Sequence, residues 1–104
     1  MTIRISGKDK MDGKYNVECS DCFKVKDQLK QVGYIWNPIS KDWLVRVNST
    51  TEAMDKVAQL FEMGIADRSA FEDLWTWAWT HDNDVRDLMD EAWQTRIAKA
   101  LQII

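Results

Sequence analysis

The chain is poor in several residues that carry chemistry or rigidity. Its 104 residues include one proline, one histidine, two cysteines and four glycines. No Gly-x-Ser-x-Gly, Gly-x-x-x-x-Gly-Lys-Ser/Thr or His-Glu-x-x-His is present, so the nucleophile elbow, the phosphate-cradling loop and the zinc-protease helix are missing. The lone His81 falls in a polar break between helical patterns and reads as a linker residue. No apolar run approaches the roughly 18 residues of a membrane span. Met1-Thr2-Ile3-Arg4-Ile5-Ser6 alternates like a strand and lacks the apolar h-region of a signal peptide. These absences lead us to expect a non-enzymatic protein of the host-cell cytosol, with no cofactor and no membrane partner. Cys19 and Cys22 are then expected to stay thiols.

Apolar residues make up 45% and charged residues 30% of the chain, the balance of an ordinary globular protein. One domain over residues 1–104 is the expectation. A chain of this size buries only about two-thirds of its surface and leaves little room for a deep cleft. The net charge of −3 hides an asymmetry. Residues 1–48 hold nine Lys/Arg and six Asp/Glu, whereas residues 49–104 hold five and eleven. The two halves should therefore prefer different partners.

Ile3 and Ile5 alternate with polar neighbours, and so do Tyr15, Val17 and Cys19. Lys8–Lys14 between them carries an Asp-Gly turn signal, so two strands joined by a loop are expected. A helix follows, capped by Ser20 or Asp21 and ended by Gly33, with Cys22, Val25, Leu29 and Val32 on its core stripe. Tyr34-Ile35-Trp36 and Trp43–Val47 form a second hairpin, turned at Asn37-Pro38 and closed by Asp42. Ser49-Thr50-Thr51-Glu52 has capping-box spacing and opens a helix with Ala53, Met54, Val57, Ala58 and Phe61 inward and Gly64 as its stop. Residues 1–64 thus read as an α+β part with ββαββα order: helices packed on an antiparallel sheet. Ser69–Glu72 repeats the capping-box spacing. Residues 65–104 read as a helical hairpin extension broken at His81–Asp84, whose last helix carries Val85, Leu88, Met89, Trp93 and Ile97 at a 3.6-residue period.

Three features weigh on function. The first is Cys19-Ser20-Asp21-Cys22, a CxxC at a strand-to-helix junction where a helix N-terminus can acidify a thiol. Zinc would need two more ligands, and only His81 remains as a nitrogen donor. The plain account is two semi-buried thiols, so no metal is expected.

The second is the stretch from Val25 to Val45. Leu29, Lys30, Gly33, Trp36, Asn37, Pro38, Lys41 and Trp43 match a pattern of Leu-Lys-x-x-Gly, then x-x-Trp-Asn/Asp-Pro, then x-x-Lys-x-Trp. In this it resembles a small domain found in phage and plasmid proteins, often appended to DNA-processing enzymes such as primases and helicases. The resemblance implies a mobile-element origin and a nucleic-acid context, and it does not extend to residues 65–104. Physics alone accounts for much of the pattern: Gly33 ends a helix, Asn37-Pro38 turns a hairpin, and Trp36 and Trp43 pair across it. The functional account is that an exposed Trp stacks on an unpaired base while Lys24, Lys26, Lys30, Lys41 and Arg46 hold phosphates.

The third is Leu74-Trp75-Thr76-Trp77-Ala78-Trp79, followed by acids. Helical spacing puts Trp75 and Trp79 in the core with Phe71, Leu74 and Ala78, and turns Trp77 outward as an interface anchor or under a neighbouring element. Asp84, Asp87 and Glu91 then line one side of the last helix.

The leading expectation is an accessory protein of the anti-CRISPR or anti-restriction kind, which inhibits a host protein or nucleoprotein complex by surface occlusion through Trp77, Asp84, Asp87 and Glu91. Its rival is a single-stranded nucleic-acid-binding module that uses Lys24, Lys26, Lys30, Trp36, Lys41 and Trp43. A homodimer through the C-terminal helices is a further expectation.

Overall fold

Alternation along the strands decides the layering. Residues opposed across an antiparallel pair share a face, and successive residues alternate faces. In the computed structural model, which describes residues 1–6, 14–81 and 83–102 and gives only the backbone at His81, Asn83 and Asp84, this rule builds a four-stranded sheet. Its strands are β1 (Thr2–Ser6), β2 (Tyr15–Ser20), β3 (Ile35–Asn37) and β4 (Asp42–Val47). Their order is β1-β2-β4-β3, each pair antiparallel. Register sets Ile3, Cys19, Trp43 and Trp36 in one row and Ile5, Val17 and Val45 in the next. Arg4, Glu18, Leu44 and Ile35 fall on the opposite face. Most of the Lys8–Lys14 loop lies outside the described residues, as does Asp82.

The first helix is shorter than its sequence pattern. A 3-10 turn covers Phe23–Val25, and α1 runs only from Lys26 to Gln31. Neither Ser20 nor Asp21 caps it. Asp21 takes a left-handed φ of 53°, which turns the chain so that Cys22 points inward. At the other end Gly33, with φ of 97°, lets Tyr34 N–H reach back to the Leu29 carbonyl at 3.0 Å. That closure fits the αL helix ending that favours a residue without Cβ.

The helix α2 (Thr50–Glu62) forms as its cap predicts. The Ser49 hydroxyl accepts from Glu52 N–H at 3.1 Å, and the Glu52 carboxylate accepts from Asn48 N–H at 3.0 Å. Ala53, Met54, Val57, Ala58, Leu60 and Phe61 are buried, and α2 packs on β2 and β4.

The C-terminal part departs from a two-helix hairpin. It contains α3 (Arg68–His81), α4 (Asn83–Leu88) and α5 (Glu91–Ala100). Asp67, not Ser69, takes the capping role at α3, accepting from Ala70 N–H at 3.0 Å. The expected last helix breaks at Met89-Asp90, where Asp90 accepts from Trp93 N–H at 2.9 Å and starts α5. Gln94 Nε2 donates to the freed Met89 carbonyl at 2.7 Å. This break lets α5 fold back onto α2 while α3 runs beside β1. Trp93 ties α5 to α2 by donating its indole N–H to the Met54 carbonyl at 3.3 Å. Ile3, Val17, Leu29, Leu60, Leu74, Val85 and Ile97 belong to one continuous buried cluster, so residues 65–102 complete the core and are not an appendage to it. Among the described residues, no helix is long and apolar enough to cross a membrane.

Candidate nucleic-acid interface

The shortness of α1 creates the site. Six helical residues span about 9 Å at 1.5 Å each. Four strands about 4.8 Å apart span roughly 14 Å. On the helix-covered face, the row ending in Trp43 and Trp36 therefore runs out from under cover. Trp43 is 9% exposed, whereas Trp36, on edge strand β3, is 48% exposed. The two rings pair across the strands with centroids 5.6 Å apart and planes inclined by 56°. Phe23, in the 3-10 turn, adds a third ring that is 76% exposed.

Two lysines of α1 flank these rings. Lys26 and Lys30 sit one turn apart, so both project from the same helix face. Lys26 Nζ lies 4.2 Å from the Phe23 ring centroid, and Lys30 Nζ lies 5.5 Å from that of Trp43. Phe23, Lys26, Lys30, Trp36 and Trp43 together line an open groove of about 490 Å³. A smaller cavity of about 150 Å³ adjoins it and shares Phe23, Trp36 and Trp43; Lys41, Asp42, Asp21 and the two cysteines also line it.

The hairpin turn sets the far wall. Asn37 Oδ1 accepts from Ile39 N–H at 2.9 Å, and Lys41 N–H donates to the Asn37 carbonyl at 2.8 Å. Lys41 is left-handed, with φ of 57°, a conformation that costs a residue with Cβ about 1 kcal/mol. The Ser40 hydroxyl donates to Asp42 Oδ1 at 2.5 Å, which holds this mostly buried carboxylate in place.

The structure thus brings together Lys26, Lys30, Trp36 and Trp43, with Lys41 in the adjoining cavity. Lys24 is exposed on the 3-10 turn and lines neither cavity. Arg46 falls on the other face of the sheet, one residue out of phase with Val45 and Val47. Sequence reasoning missed Phe23, although an aromatic three residues before a lysine was a readable signal. It also treated Asp42 only as a turn residue.

The second expected surface is arranged differently. Trp77 is half-buried, and the Arg4 guanidinium lies 5.1 Å from its ring. Trp79, expected in the core, is 51% exposed, with Arg86 at 4.9 Å over the ring. The buried stripe of α3 is Ala70, Leu74 and Ala78, which places Trp75 and Trp79 at its margin. Asp87 on α4 and Glu91 on α5 are exposed but belong to different helices, so no single helix face carries them. The side chain of Asp84 lies outside the described residues. Glu72 and Asp73 are engaged by Arg68 and Arg4, at 3.3 and 2.7 Å.

The CxxC pair is turned into the core. Both thiols are buried, and Cys22 Sγ lies 3.5 Å from the Cys19 carbonyl. Burial first and the neighbouring Cys22 second push the Cys19 thiol far up; burial raises Cys22 as well. The two semi-buried thiols expected here lie deeper than that, and burial outweighs any acidification by the three-residue 3-10 turn that follows. Among the described residues, no three His, Cys, Asp or Glu side chains are grouped to hold a metal. No family model, curated protein or solved structure matches the chain.

Proposed function

We propose that the protein binds single-stranded nucleic acid in the groove between α1 and the β3–β4 hairpin. One observation carries the reading: exposed rings of Phe23 and Trp36 share a groove with the ammonium groups of Lys26 and Lys30. Stacking on such rings is worth about 1–3 kcal/mol per base and tolerates any sequence, while lysines follow the phosphates. Large exposed rings are otherwise a solubility liability, and they mark interaction sites when they cluster. A duplex hides its base faces, so the rings favour an unpaired strand. The groove lies in the basic half of the chain, which matches a polyanion.

A fluorescence-anisotropy titration with a labelled single-stranded oligonucleotide at low salt tests this. Saturable binding that weakens as salt rises is expected, with a log–log slope of about −0.7 for each phosphate neutralised. Lys26→Ala with Lys30→Ala should flatten that slope. A featureless titration at low salt would remove the proposal.

A second reading rests on Trp79. Its half-exposed ring lies in the acidic half of the chain. An exposed Trp suits an anchor against a protein partner, so inhibition of a host nucleoprotein machine by occlusion stands as the alternative. On that reading, Trp79→Ala abolishes capture of the partner machine, whereas Trp36→Ala leaves it unchanged.

A further inference from the structure

Three aromatic residues of α3 stand in a row. Phe71, Trp75 and Trp79 recur every fourth residue, so their side chains follow one another along the same side of the helix. Ring centroids are 6.2 Å apart at Phe71–Trp75 and 5.8 Å apart at Trp75–Trp79. Phe71 anchors the row by packing edge-on to Phe61 and stacking on Trp93. Beside it opens a groove of about 420 Å³, lined by Phe71, Glu72, Trp75 and Thr76 and by Gln94 of α5. At 3.6 residues per turn, Glu72 lies about 60° round the axis from Trp75 and about 20° from Trp79. Its carboxylate holds Arg68 at 3.3 Å, but both side chains are well exposed, so that pair is weak and open to exchange. The Gln94 amide donates to the Met89 carbonyl, which leaves its oxygen as an acceptor. Two of the three tryptophans of α3 already carry an arginine: Arg4 lies 5.1 Å from the Trp77 ring and Arg86 lies 4.9 Å from the Trp79 ring. Trp75, which lines the groove, carries no cation among the described residues.

We propose that this groove takes an arginine side chain of a basic protein partner, with the guanidinium against Trp75 and hydrogen-bonded to Glu72. The proposal rests on the protein-contact reading of the acidic half and is independent of the nucleic-acid groove at α1. The negative face of an indole attracts a cation, and the attraction grows as water is excluded. A guanidinium is flat and always charged, so it lies on a ring while two parallel N–H groups meet one carboxylate. An ammonium is compact and strongly hydrated, which makes it the poorer match. Residues 49–104 hold eleven Asp/Glu against five Lys/Arg, so the surrounding field also draws a basic partner. Attraction at a distance and recognition at contact thus select the same charge.

The test titrates the full-length protein with end-blocked tripeptides whose central residue, between two glycines, is arginine, lysine or citrulline. The six indole N–H signals are followed by NMR. Citrulline keeps the shape of arginine and lacks its charge. The arginine peptide should move the Trp75 signal saturably and bind about fivefold or more tighter than the citrulline peptide, with the lysine peptide between them. Glu72→Gln should weaken arginine binding by about threefold or more. Arg68→Gln, which releases Glu72 from its competitor, should strengthen it. A purely structural role for this exposed pair would not give the two substitutions opposite signs. An unmoved Trp75 signal, or equal affinity for the arginine and citrulline peptides, overturns the arginine site. Should Trp79→Ala nevertheless abolish capture of a partner machine, the protein-contact reading survives without that site. An unmoved Trp75 signal together with capture unaffected by Trp79→Ala removes both. A Trp75 signal that shifts on dilution without peptide places a second copy in the groove and overturns the partner assignment.

Discussion

The two halves of this chain treat most of their aromatic rings differently, with Trp79 of the helical half the exception at 51% exposed. In the helical half, Trp93 is buried and its N–H is satisfied by Met54. Trp77 sits under Arg4, and Phe71 stacks on Trp93 with centroids 6.0 Å apart. In the sheet half, Phe23 and Trp36 stay open beside lysines. The cause is geometric. The helices around α3 cover all of the C-terminal rings but Trp79, whereas α2 packs on β2 and β4 and the six-residue α1 leaves edge strand β3 open. The halves also differ in how their charges are spent. Arg96 grips Glu62 at 2.7 and 2.9 Å and Asp55 at 3.1 Å, so acids of α2 serve the fold. Lys26 and Lys30 make no ion pair among the described residues; they lie over rings at the groove. One half holds its arginines in ion pairs, and the other leaves Lys26 and Lys30 beside exposed rings.

The largest effect should come from cutting into the shared core. Leu60 is fully buried on α2, between the sheet and the C-terminal helices. Leu60→Ala should cost about 2–5 kcal/mol by urea unfolding. It should unfold both halves in one transition, because one buried cluster spans them. Two separate transitions would break the picture of a single core.

Trp36→Ala should show the opposite balance. The loss of its contact with Trp43 should cost about 0.5–1.5 kcal/mol of stability. Oligonucleotide affinity should fall by about 1–3 kcal/mol, tenfold or more, through the lost stacking. A stable variant with undiminished affinity would shift the ligand away from this ring.

A smaller effect is expected at Tyr34. Its hydroxyl is buried and its one polar neighbour among the described residues is the weakly bonding Cys19 thiol; burial first and that thiol second push its ionisation up. An unmatched buried polar group costs about 1–3 kcal/mol. Tyr34→Phe should therefore leave stability unchanged or raise it by about 1 kcal/mol in thermal unfolding. A clear loss would mean that the hydroxyl has a partner in solution.

The smallest effect belongs to Glu62 and Arg96. The hydrogen bond from Arg96 holds the Glu62 carboxyl below its usual 4.5. A carboxylate depressed in the folded state adds stability above its unfolded value, and that contribution fades as pH falls through the folded one. The pair is well exposed, so the contribution is small. Arg96→Met should flatten the stability profile below about pH 4.5 and change little at neutral pH.

Much of this was legible in the chain itself. Alternation at Ile3 and Ile5 and at Tyr15, Val17 and Cys19 marked the first strands. Gly33, Asn37-Pro38 and the Ser49–Glu52 box marked the turns and the start of α2. The Trp36–Trp43 pairing followed from the hairpin spacing. Other features were hidden for physical reasons. The apolar period runs unbroken from Val85 to Ile97, so only the Asp90 side chain, acting as a cap, reveals the break between α4 and α5. Asp67 and Ser69 are both able to cap α3, and the choice depends on packing beside β1. Which of three alternate tryptophans faces out depends on the roll of α3, and its apolar pattern left that roll ambiguous. Within the site, the lysines and tryptophans were readable as types. That α1 stops short of β3, which makes them a groove, depends on the left-handed Asp21 and the 3-10 turn after it.

The most direct test of the groove is an NMR titration of the indole N–H signals with a single-stranded oligonucleotide. Trp36 and Trp43 should shift in proportion to saturation, while Trp77, half-buried under Arg4, and Trp93, bonded to Met54, should stay in place. Shifts confined to tryptophans of α3, with Trp36 and Trp43 unmoved, would contradict the account.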